Sequence, residues 1–264
     1  MQLYQIDAFT DQPFHGNPAC VCLLDQPHSD SWMQALSGEM NLSETAFLLK
    51  QPDGFGLRWF TPTKEVSLCG HATLASAHIL WEDGHVPPAE KIEFHTQSGL
   101  LTIRKDGPWI EMDFPARLVS PADPSSELNQ ALGITPTHTS KRTLEKGDAY
   151  LLEVETEEIV RAMTPDFAQL LATDARTVIV TSRSDDAAYD FVSRFFGPAI
   201  GINEDPVTGS AHCYLAPYWG ARLNKPSLLG LQVSKRQGVV GCEWQAERVL
   251  LRGQAVTIFK GCLS

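Results

Sequence analysis

The chain has 264 residues, 43% of them apolar and 20% charged, and its net charge is −11. This is the composition of a globular protein with enough apolar material for one large or two medium-sized domains. The negative charge and the absence of any basic run in the sequence argue against nucleic acid or anionic membranes as partners, but not against a small anionic substrate. The sequence shows no bilayer-spanning segment and no signal peptide, so we expect a cytoplasmic protein.

The cysteines predict neither a zinc site nor disulfides. They do not form the two Cys-x-x-Cys pairs that are typical of structural zinc. In a reducing cytosol, free thiols packed as small apolar side chains are the favoured interpretation. The six residues are Cys20, Cys22, Cys69, Cys213, Cys242 and Cys262.

Alternating and continuous apolar runs predict a strand-rich first half. A helix over residues 32–40 would be capped by Ser31, and a second helix would cover 72–81. Glycine and proline turns separate the last three strands, which is typical of an antiparallel meander. The predicted strands are 3–9, 19–24, 46–49, 56–60, 66–68, 92–94, 100–104 and 110–114.

Two polar residues of the first half are candidates for chemistry. Glu44 enters the strand 46–49, where partial burial would raise the pKa of its carboxyl toward the range of general acid/base catalysis. The alternative is a solvated acid at a strand entry. His71 falls in the first turn of helix 72–81, where a neutral imidazole could donate to an anion, although a lone histidine is more often structural.

Residues 115–124 are rich in proline and serine and form the best linker candidate. Beyond them we predict helices over 126–132, over 165–171 with Thr164 as its cap, and over 211–223, which Pro217 would shorten or kink. The predicted strands of this half are 149–154, 177–181, 189–195, 231–235, 238–244, 248–253 and 255–260.

The stretch 204–211, Glu-Asp-Pro-Val-Thr-Gly-Ser-Ala, reads as a strand end, a tight turn and a helix start. Pro206 blocks a helix before the turn. Gly209 allows close approach of backbone or ligand, and Ser210 suits an N-cap or first-turn position. Free N–H groups at such a helix start can bind an anion. An ordinary capped helix with two solvated acids is the alternative.

The two halves share an Arg-aromatic-Phe-x-Pro core at residues 57–62 and 193–198. Each copy is followed by a small-residue turn and a helix, and each is preceded by an apolar segment, at 46–50 and 178–182. We therefore infer a diverged tandem duplication. It predicts two domains, 1–117 and 118–264.

Four motifs, in order and spanning essentially the whole chain, resemble the PhzF-like family of phenazine-biosynthesis isomerases. They lie at residues 14–21 (FHGNPACV), 41–47 (NLSETAF), 68–73 (LCGHAT) and 204–211 (EDPVTGSA). Relatives of this family include diaminopimelate epimerases and proline racemases. Together the motifs are specific for the family but not for a substrate.

The resemblance implies an α+β, diaminopimelate epimerase-like fold. Its two pseudo-symmetric domains would each wrap a curved, mostly antiparallel sheet or open barrel around a central helix, 72–81 or 211–223. The active site would lie in the cleft between the domains, the last strand would return to the first domain, and the protein would be a homodimer.

The resemblance also implies roles for single residues. Glu44 would be the catalytic acid/base, assisted by His71 and Asp205. Gly70, Gly209 and Ser210 would hold the carboxylate of a small substrate, which agrees with the preference of helix N-termini for anions. No metal or organic cofactor would be needed.

The chain departs from the epimerases, which use two opposed cysteines. Cys69 stands at the first position, Pro206 or its neighbours stand at the second, and Cys213 lies one turn into its helix. The leading interpretation is a proton-transferring isomerase; the founding activity of the family acts on trans-2,3-dihydro-3-hydroxyanthranilate. A racemase or epimerase that pairs Glu44 with Cys69, and a non-catalytic binding protein, are the alternatives.

Overall fold

The computed structural model describes residues 1–123 and 125–263, and these form two compact units. The first unit comprises Met1–Asp113 together with the C-terminal segment from Leu250, and the second comprises Phe114–Val249. The C-terminal strand belongs to the first unit because it pairs antiparallel with the first strand of the chain.

The elements up to residue 115 are β1 (Gln2–Ala8), β2 (Asn17–Leu24), α1 (Asp30–Met40), β3 (Thr45–Gln51), β4 (Gly54–Phe60), β5 (Glu65–Val66), α2 (Gly70–Glu82), β6 (Ile92–Thr96), β7 (Gly99–Asp106) and β8 (Trp109–Pro115). In this unit β2 and β3 are parallel, β4 pairs antiparallel with β3 and β5, and β4 is parallel to β6. The strands β6, β7 and β8 form the predicted antiparallel meander.

The following elements are β9 (Ser120–Pro121), α3 (Ser126–Leu132), β10 (His138–Thr143), β11 (Asp148–Glu153), α4 (Glu157–Ala162), α5 (Phe167–Leu171), β12 (Ala175–Arg183), β13 (Phe191–Gly197), a 3-10 turn (Pro198–Ile200), β14 (Ile202–Asp205), α6 (Gly209–Leu223), β15 (Ser227–Gln232), β16 (Gly238–Gln245), β17 (Arg248–Gly253) and β18 (Ala255–Cys262). The strands from β11 to β16 repeat the pairing of the strands from β2 to β7. Strand β11 is parallel to β12, and β13 pairs antiparallel with both β12 and β14. Strand β13 is also parallel to β15, which pairs antiparallel with β16.

The repeat extends to side chains. In the first unit Nε and Nη2 of Arg58 donate to the two carboxylate oxygens of Glu65 at 2.7 and 2.8 Å. In the second unit Arg194 binds Glu204 in the same bidentate way at 2.7 and 2.9 Å. Each guanidinium also lies over the phenylalanine ring two residues further along its strand, at 5.1 and 5.0 Å. Shared pairing and shared ion pairs support the predicted duplication.

The helices α2 and α6 are buried on nearly all sides, as expected of a helix that is apolar all round. Within the first unit α2 packs on β1, β2, β3 and β18, and within the second α6 packs on β15 and β16. Each helix is therefore the centre of the core of its own unit, and each begins five residues after the glutamate of its Arg–Glu pair.

Pro217 does not shorten α6, which runs to Leu223, contrary to one of the two outcomes expected from the sequence. Proline lacks an N–H and so leaves the carbonyl of Cys213, four residues earlier, without its helical donor. The backbone N–H of Arg117 donates to that carbonyl at 2.9 Å instead. A donor from another segment thus replaces the missing helical bond, which sequence patterns do not indicate.

Two helix caps differ from the predictions. Ser29, not Ser31, caps α1, accepting a hydrogen bond from the N–H of Trp32. The helix predicted over 165–171 begins at Phe167, because the carboxylate of Asp166 accepts two backbone N–H bonds of its first turn. Strand β10 and helix α4 were not predicted, since β10 is largely polar and α4 is only 6 residues long.

Among the described residues, no helix combines the length and the apolar character that a membrane crossing requires.

Candidate active site

The residues predicted to act on a substrate fall into two groups, one in each unit. The first-unit group is Glu44, Gly70 and His71, and the second-unit group is Asp205, Gly209 and Ser210. Gly70 and His71 start α2, and Gly209 and Ser210 start α6. Glu44 immediately precedes β3, and Asp205 ends β14.

Glu44 and His71 are in direct contact. Oε2 of Glu44 lies 3.3 Å from Nε2 of His71, and the two residues are 9% and 6% exposed. Glu44 immediately precedes β3, and its carbonyl accepts the N–H of Cys20 in β2 at 3.1 Å, which fixes its backbone. Helix α2 supplies His71 from its first turn. The fold thus brings together a buried carboxylate and a buried imidazole that are far apart in sequence.

Two further polar side chains hold the His71 ring. Oγ of Ser43 lies 3.2 Å from Nε2, and Nδ2 of Asn17 lies 3.3 Å from Nδ1. Asn17 is fully buried, and its position follows from the tight turn at Gly16, where a Cβ would lie 2.1 Å from the carbonyl oxygen of Ala8. Both ring nitrogens therefore have defined neighbours, so the ring orientation is fixed.

Burial raises the pKa of the Glu44 carboxyl above that of an ordinary glutamate. Hydrogen bonds from Ser43 and Cys69 act in the opposite direction but are the smaller effects. Because loss of solvation disfavours the charged form, Glu44 keeps its proton to a higher pH than a solvated carboxyl does. This is the property that a general acid requires.

Cys69 is the N-cap residue of α2 and is part of this polar cluster. Its Sγ lies 3.5 Å from Nδ1 and 4.0 Å from Nε2 of His71. The potential ligand atoms of Glu44, Cys69 and His71 all lie within 4.8 Å of one another, and all three residues are buried. The sequence predicts a packing role for Cys69. In the structure its thiol instead contacts both catalytic candidates, Glu44 and His71.

The position equivalent to Cys69 in the second unit is Thr208. The paired strands align Glu65 with Glu204, and the helices begin five residues later in both units, so Cys69 and Thr208 are both N-caps. The sequence analysis predicts Pro206 or one of its neighbours at the position equivalent to Cys69. A hydroxyl therefore stands in the second unit at the position equivalent to the thiol of Cys69.

The two central helices start without a side-chain cap. The other α-helices of the described chain each have one, from Ser29, Ser125, Thr156 or Asp166. At α2 and α6 the N-cap side chain makes no such bond. No N-cap side chain therefore competes with an anion at these two helix starts, where the helix dipole favours one.

The hydroxyl of Thr208 is engaged elsewhere and does not cap α6, since it donates to Oδ2 of Asp205 at 2.6 Å and accepts from Nε2 of Gln232 at 3.2 Å. The fully buried side chain of Gln232 completes the arrangement. Its Oε1 accepts the N–H of Thr208 at 2.8 Å, and its Nε2 donates to the carbonyl of Asp205 at 2.7 Å. Gly209 is buried, and Ser210 is exposed at the second position of the helix. The predicted residue Asp205 is thus locked in place by two residues that were not predicted.

Sequence reasoning missed four polar residues of these two groups, Asn17, Ser43, Thr208 and Gln232. Asn17 lies inside the motif at 14–21, so the motif could have suggested it. Gln232 ends an apolar strand and carries no sequence signal. Its role appears only when the strand lies beside the turn at 205–208.

Comparisons with known proteins show the family and the fold of the chain. The family model for phenazine biosynthesis-like proteins, PhzC-PhzF, matches residues 6–261. The chain is 51% identical over 259 residues to an uncharacterized isomerase of Halalkalibacterium halodurans, covering 98% of this chain and 96% of that protein. The crystal structure of a PhzF-family phenazine biosynthesis protein from Enterococcus faecalis superimposes with a TM-score of 0.92 at 42% identity, covering 98% of this chain and 97% of that one.

A predicted epimerase from Pseudomonas aeruginosa shares the fold with a TM-score of 0.75 at 21% identity, over 99% of this chain and 98% of its own. These likenesses confirm the α+β, diaminopimelate epimerase-like fold that the sequence predicts. The chain belongs to the phenazine biosynthesis-like (PhzC-PhzF) family.

Proposed function

We propose that the protein is a cofactor-independent isomerase that moves a proton within a small conjugated carboxylate, with Glu44 as the general acid/base. The observation that carries the proposal is the buried Glu44 carboxyl, its pKa raised by burial, 3.3 Å from the imidazole of His71. The name isomerase given to the Halalkalibacterium relative supports the reaction class.

The reaction that this geometry supports is balanced in protons and electrons. The Glu44 carboxylate takes a proton from one carbon, the electron pair moves along the conjugated system, and the resulting carboxylic acid returns the proton to another carbon. His71 donates a hydrogen bond to the carboxylate while it is charged. No net oxidation occurs, so the proton relay needs no redox partner.

A carboxylate group on the substrate has a suitable binding partner in the same unit. The start of α2, at Gly70, presents backbone N–H groups that the side chain of Cys69 does not cap. The helix dipole adds favourable electrostatics. The anion would then sit beside Glu44, since His71 belongs to the same helical turn. The predicted roles of Asp205, Gly209 and Ser210 in the reaction stay predictions.

Solvent exchange tests the proposal. We would incubate the protein in deuterated water with trans-2,3-dihydro-3-hydroxyanthranilate and a panel of small amino and hydroxy acids, and follow carbon-bound deuterium by NMR. We expect exchange that is lost in Glu44→Gln. The control is Glu39→Gln, since Glu39 is an exposed glutamate of α1. Undiminished exchange in Glu44→Gln would contradict the proposal.

Cys69 supports a second candidate, an epimerase that uses its thiol together with Glu44. The observation is the contact of Sγ with the His71 ring. This reaction would place solvent deuterium on an inverted α-carbon and would be lost in Cys69→Ser. Full activity of Cys69→Ser would exclude it and would leave the glutamate-only mechanism. Anion binding that persists in Glu44→Gln, without exchange for any member of the panel, would favour a binding protein.

A further inference from the structure

We propose that Glu44, Cys69 and His71 together form a binding site for a zinc ion, and that zinc is a reversible inhibitor of this protein. We call these three residues the zinc triad. The spacing rule for cysteine pairs could not indicate such a site, because the ligands come from a strand entry, a helix N-cap and a helical turn.

The distances within the zinc triad suit a tetrahedral ion. Zinc bonds of about 2.0–2.3 Å place neighbouring ligand atoms roughly 3.3–3.7 Å apart. Oε2 of Glu44 and Nε2 of His71 are already 3.3 Å apart. Sγ of Cys69 lies 4.0 Å from Nε2, and no pair of ligand atoms in the triad exceeds 4.8 Å. Because Sγ lies nearer to Nδ1, at 3.5 Å, the Cys69 side chain must rotate toward Nε2 to bring all three atoms onto one ion.

The chemistry of the three donors favours zinc over the hard cations. A thiolate and an imidazole are the ligands that zinc prefers, whereas magnesium and calcium prefer oxygen alone. A thiolate and a carboxylate also neutralise the two charges of the ion, which matters because all three residues are buried. Three protein ligands leave one coordination position open, the arrangement of reactive rather than structural zinc sites.

The neighbours of the triad hold His71 in the orientation that a metal ligand needs. Asn17 lies against Nδ1, so Nε2 faces Glu44. Zinc on Nε2 would place the ring proton on Nδ1, so the side-chain amide of Asn17 would turn its oxygen toward Nδ1 to accept a hydrogen bond from it. All three ligand side chains are already buried, which limits the additional ordering to such local rotations.

The predicted inhibition rests on the proposed function, in which Glu44 transfers the substrate proton. The same carboxylate would also bind the zinc ion. The carboxylate oxygen that binds the ion cannot at the same time accept or donate a substrate proton. Zinc and proton transfer are therefore mutually exclusive at Glu44. Removal of the ion by a chelator would restore turnover, since no covalent bond of the protein changes.

Direct metal binding tests the site without any substrate. We would titrate metal-free, reduced, tag-free protein with Zn²⁺ by calorimetry, and with Co²⁺ while recording the thiolate charge-transfer absorption. We expect one ion per chain, with affinity at least about tenfold weaker in Cys69→Ser and in Glu44→Gln, and loss of the charge-transfer band in Cys69→Ser. Melting curves would verify that both variants are folded.

The matched control is Cys262→Ser, which removes an exposed thiol in β18 and should bind zinc like the parent protein. Equal affinity of the parent, Cys69→Ser and Glu44→Gln would overturn the proposal, as would loss of binding in Cys262→Ser, because either result would indicate adventitious zinc elsewhere. Binding is measured in the absence of substrate. Failure of the zinc site would thus leave the isomerase proposal intact, and failure of the isomerase proposal would leave the binding result intact.

Discussion

The carboxylate of Glu44 lies 3.3 Å from Nε2 of His71, and both residues are buried. Burial raises the pKa of Glu44, so the folded protein holds a proton that the unfolded chain releases. Stability therefore falls as pH rises from the ordinary glutamate value to the raised one. A buried carboxyl with a raised pKa should therefore cost stability at neutral pH.

We predict that Glu44→Gln is more stable than the parent protein at neutral pH, and that the difference disappears in acid. Glutamine has nearly the same shape as glutamate but no charge to desolvate. The variant therefore does not lose unfolding free energy as the pH rises. Urea unfolding from about pH 4 to about pH 8 measures the difference, the lower limit lying near the ordinary pKa of glutamate. The exposed Glu39→Gln control should follow the parent at every pH. A difference that does not change with pH would contradict the prediction.

Element types were largely predictable because the apolar patterns are strong. Helix 72–81 and strand 3–9 were predicted within two residues of α2 and β1. Sequence patterns failed where one polar contact decides the outcome. The start of α5 depends on the carboxylate of Asp166, and the continuity of α6 through Pro217 depends on the N–H of Arg117.

The candidate site was predictable only as a set of motifs. Glu44 and His71 were identified because both lie in family motifs and at element boundaries. Their contact, the burial of Glu44 and the presence of Cys69 beside them depend on how β3 packs against α2. Gln232 illustrates the limit, since nothing in an apolar strand shows that its last side chain binds a turn more than twenty residues away.

We predict that the fully buried His212 makes the protein sensitive to acid. Its Nδ1–H donates to the carbonyl of Thr208 at 2.8 Å, and among the described residues Nε2 has no hydrogen-bond partner. Burial lowers the pKa of this histidine from 6.5 to about 4. The unfolded chain therefore binds a proton that the folded protein excludes, and stability falls as pH drops from about 6.5 toward about 4.

The loss of unfolding free energy caused by His212 in acid can reach about 3 kcal/mol, since each pKa unit corresponds to about 1.4 kcal/mol. Urea unfolding between these pH values, compared in the parent and in His212→Asn, measures it. Asparagine keeps a donor near Thr208 but does not titrate, so the variant should lose less stability in acid. Parallel curves for the two proteins would show that His212 does not titrate as expected.

We predict that Gln232 is worth more to stability than an ordinary glutamine. Gln232→Met would leave the N–H of Thr208 and the carbonyl of Asp205 buried without their present partner. Unsatisfied buried groups cost about 1–3 kcal/mol each, so we expect a loss of about 2–4 kcal/mol. The matched control is Gln34→Met, which removes one bond from a half-buried glutamine, Nε2 to the carbonyl of Thr61. Equal losses in the two variants would contradict the prediction.

The duplicated arginines offer a comparison of one interaction in two environments. Arg58 and Arg194 make the same bidentate pair with a glutamate, but their side chains are 34% and 12% exposed. Arg194 also donates from Nη1 to the carbonyl of Met163 at 2.7 Å. The second partner of Arg58 is instead the well-exposed carboxylate of Asp30.

We therefore predict that Arg194→Met destabilises the protein by about 3 kcal/mol, because both Glu204 and the carbonyl of Met163 lose a nearly buried guanidinium. Arg58→Met should cost about 1 kcal/mol or less: Glu65 is as exposed as Glu204, at 23%, but Arg58 itself is more exposed and its second partner is the exposed Asp30. The double variant Arg194→Met/Glu204→Gln should recover part of the loss, since it leaves no unpaired charge. Urea unfolding of the three variants measures these differences. If Arg58→Met costs as much as Arg194→Met, burial is not what separates the two copies, and the shared geometry alone sets the strength of the pair.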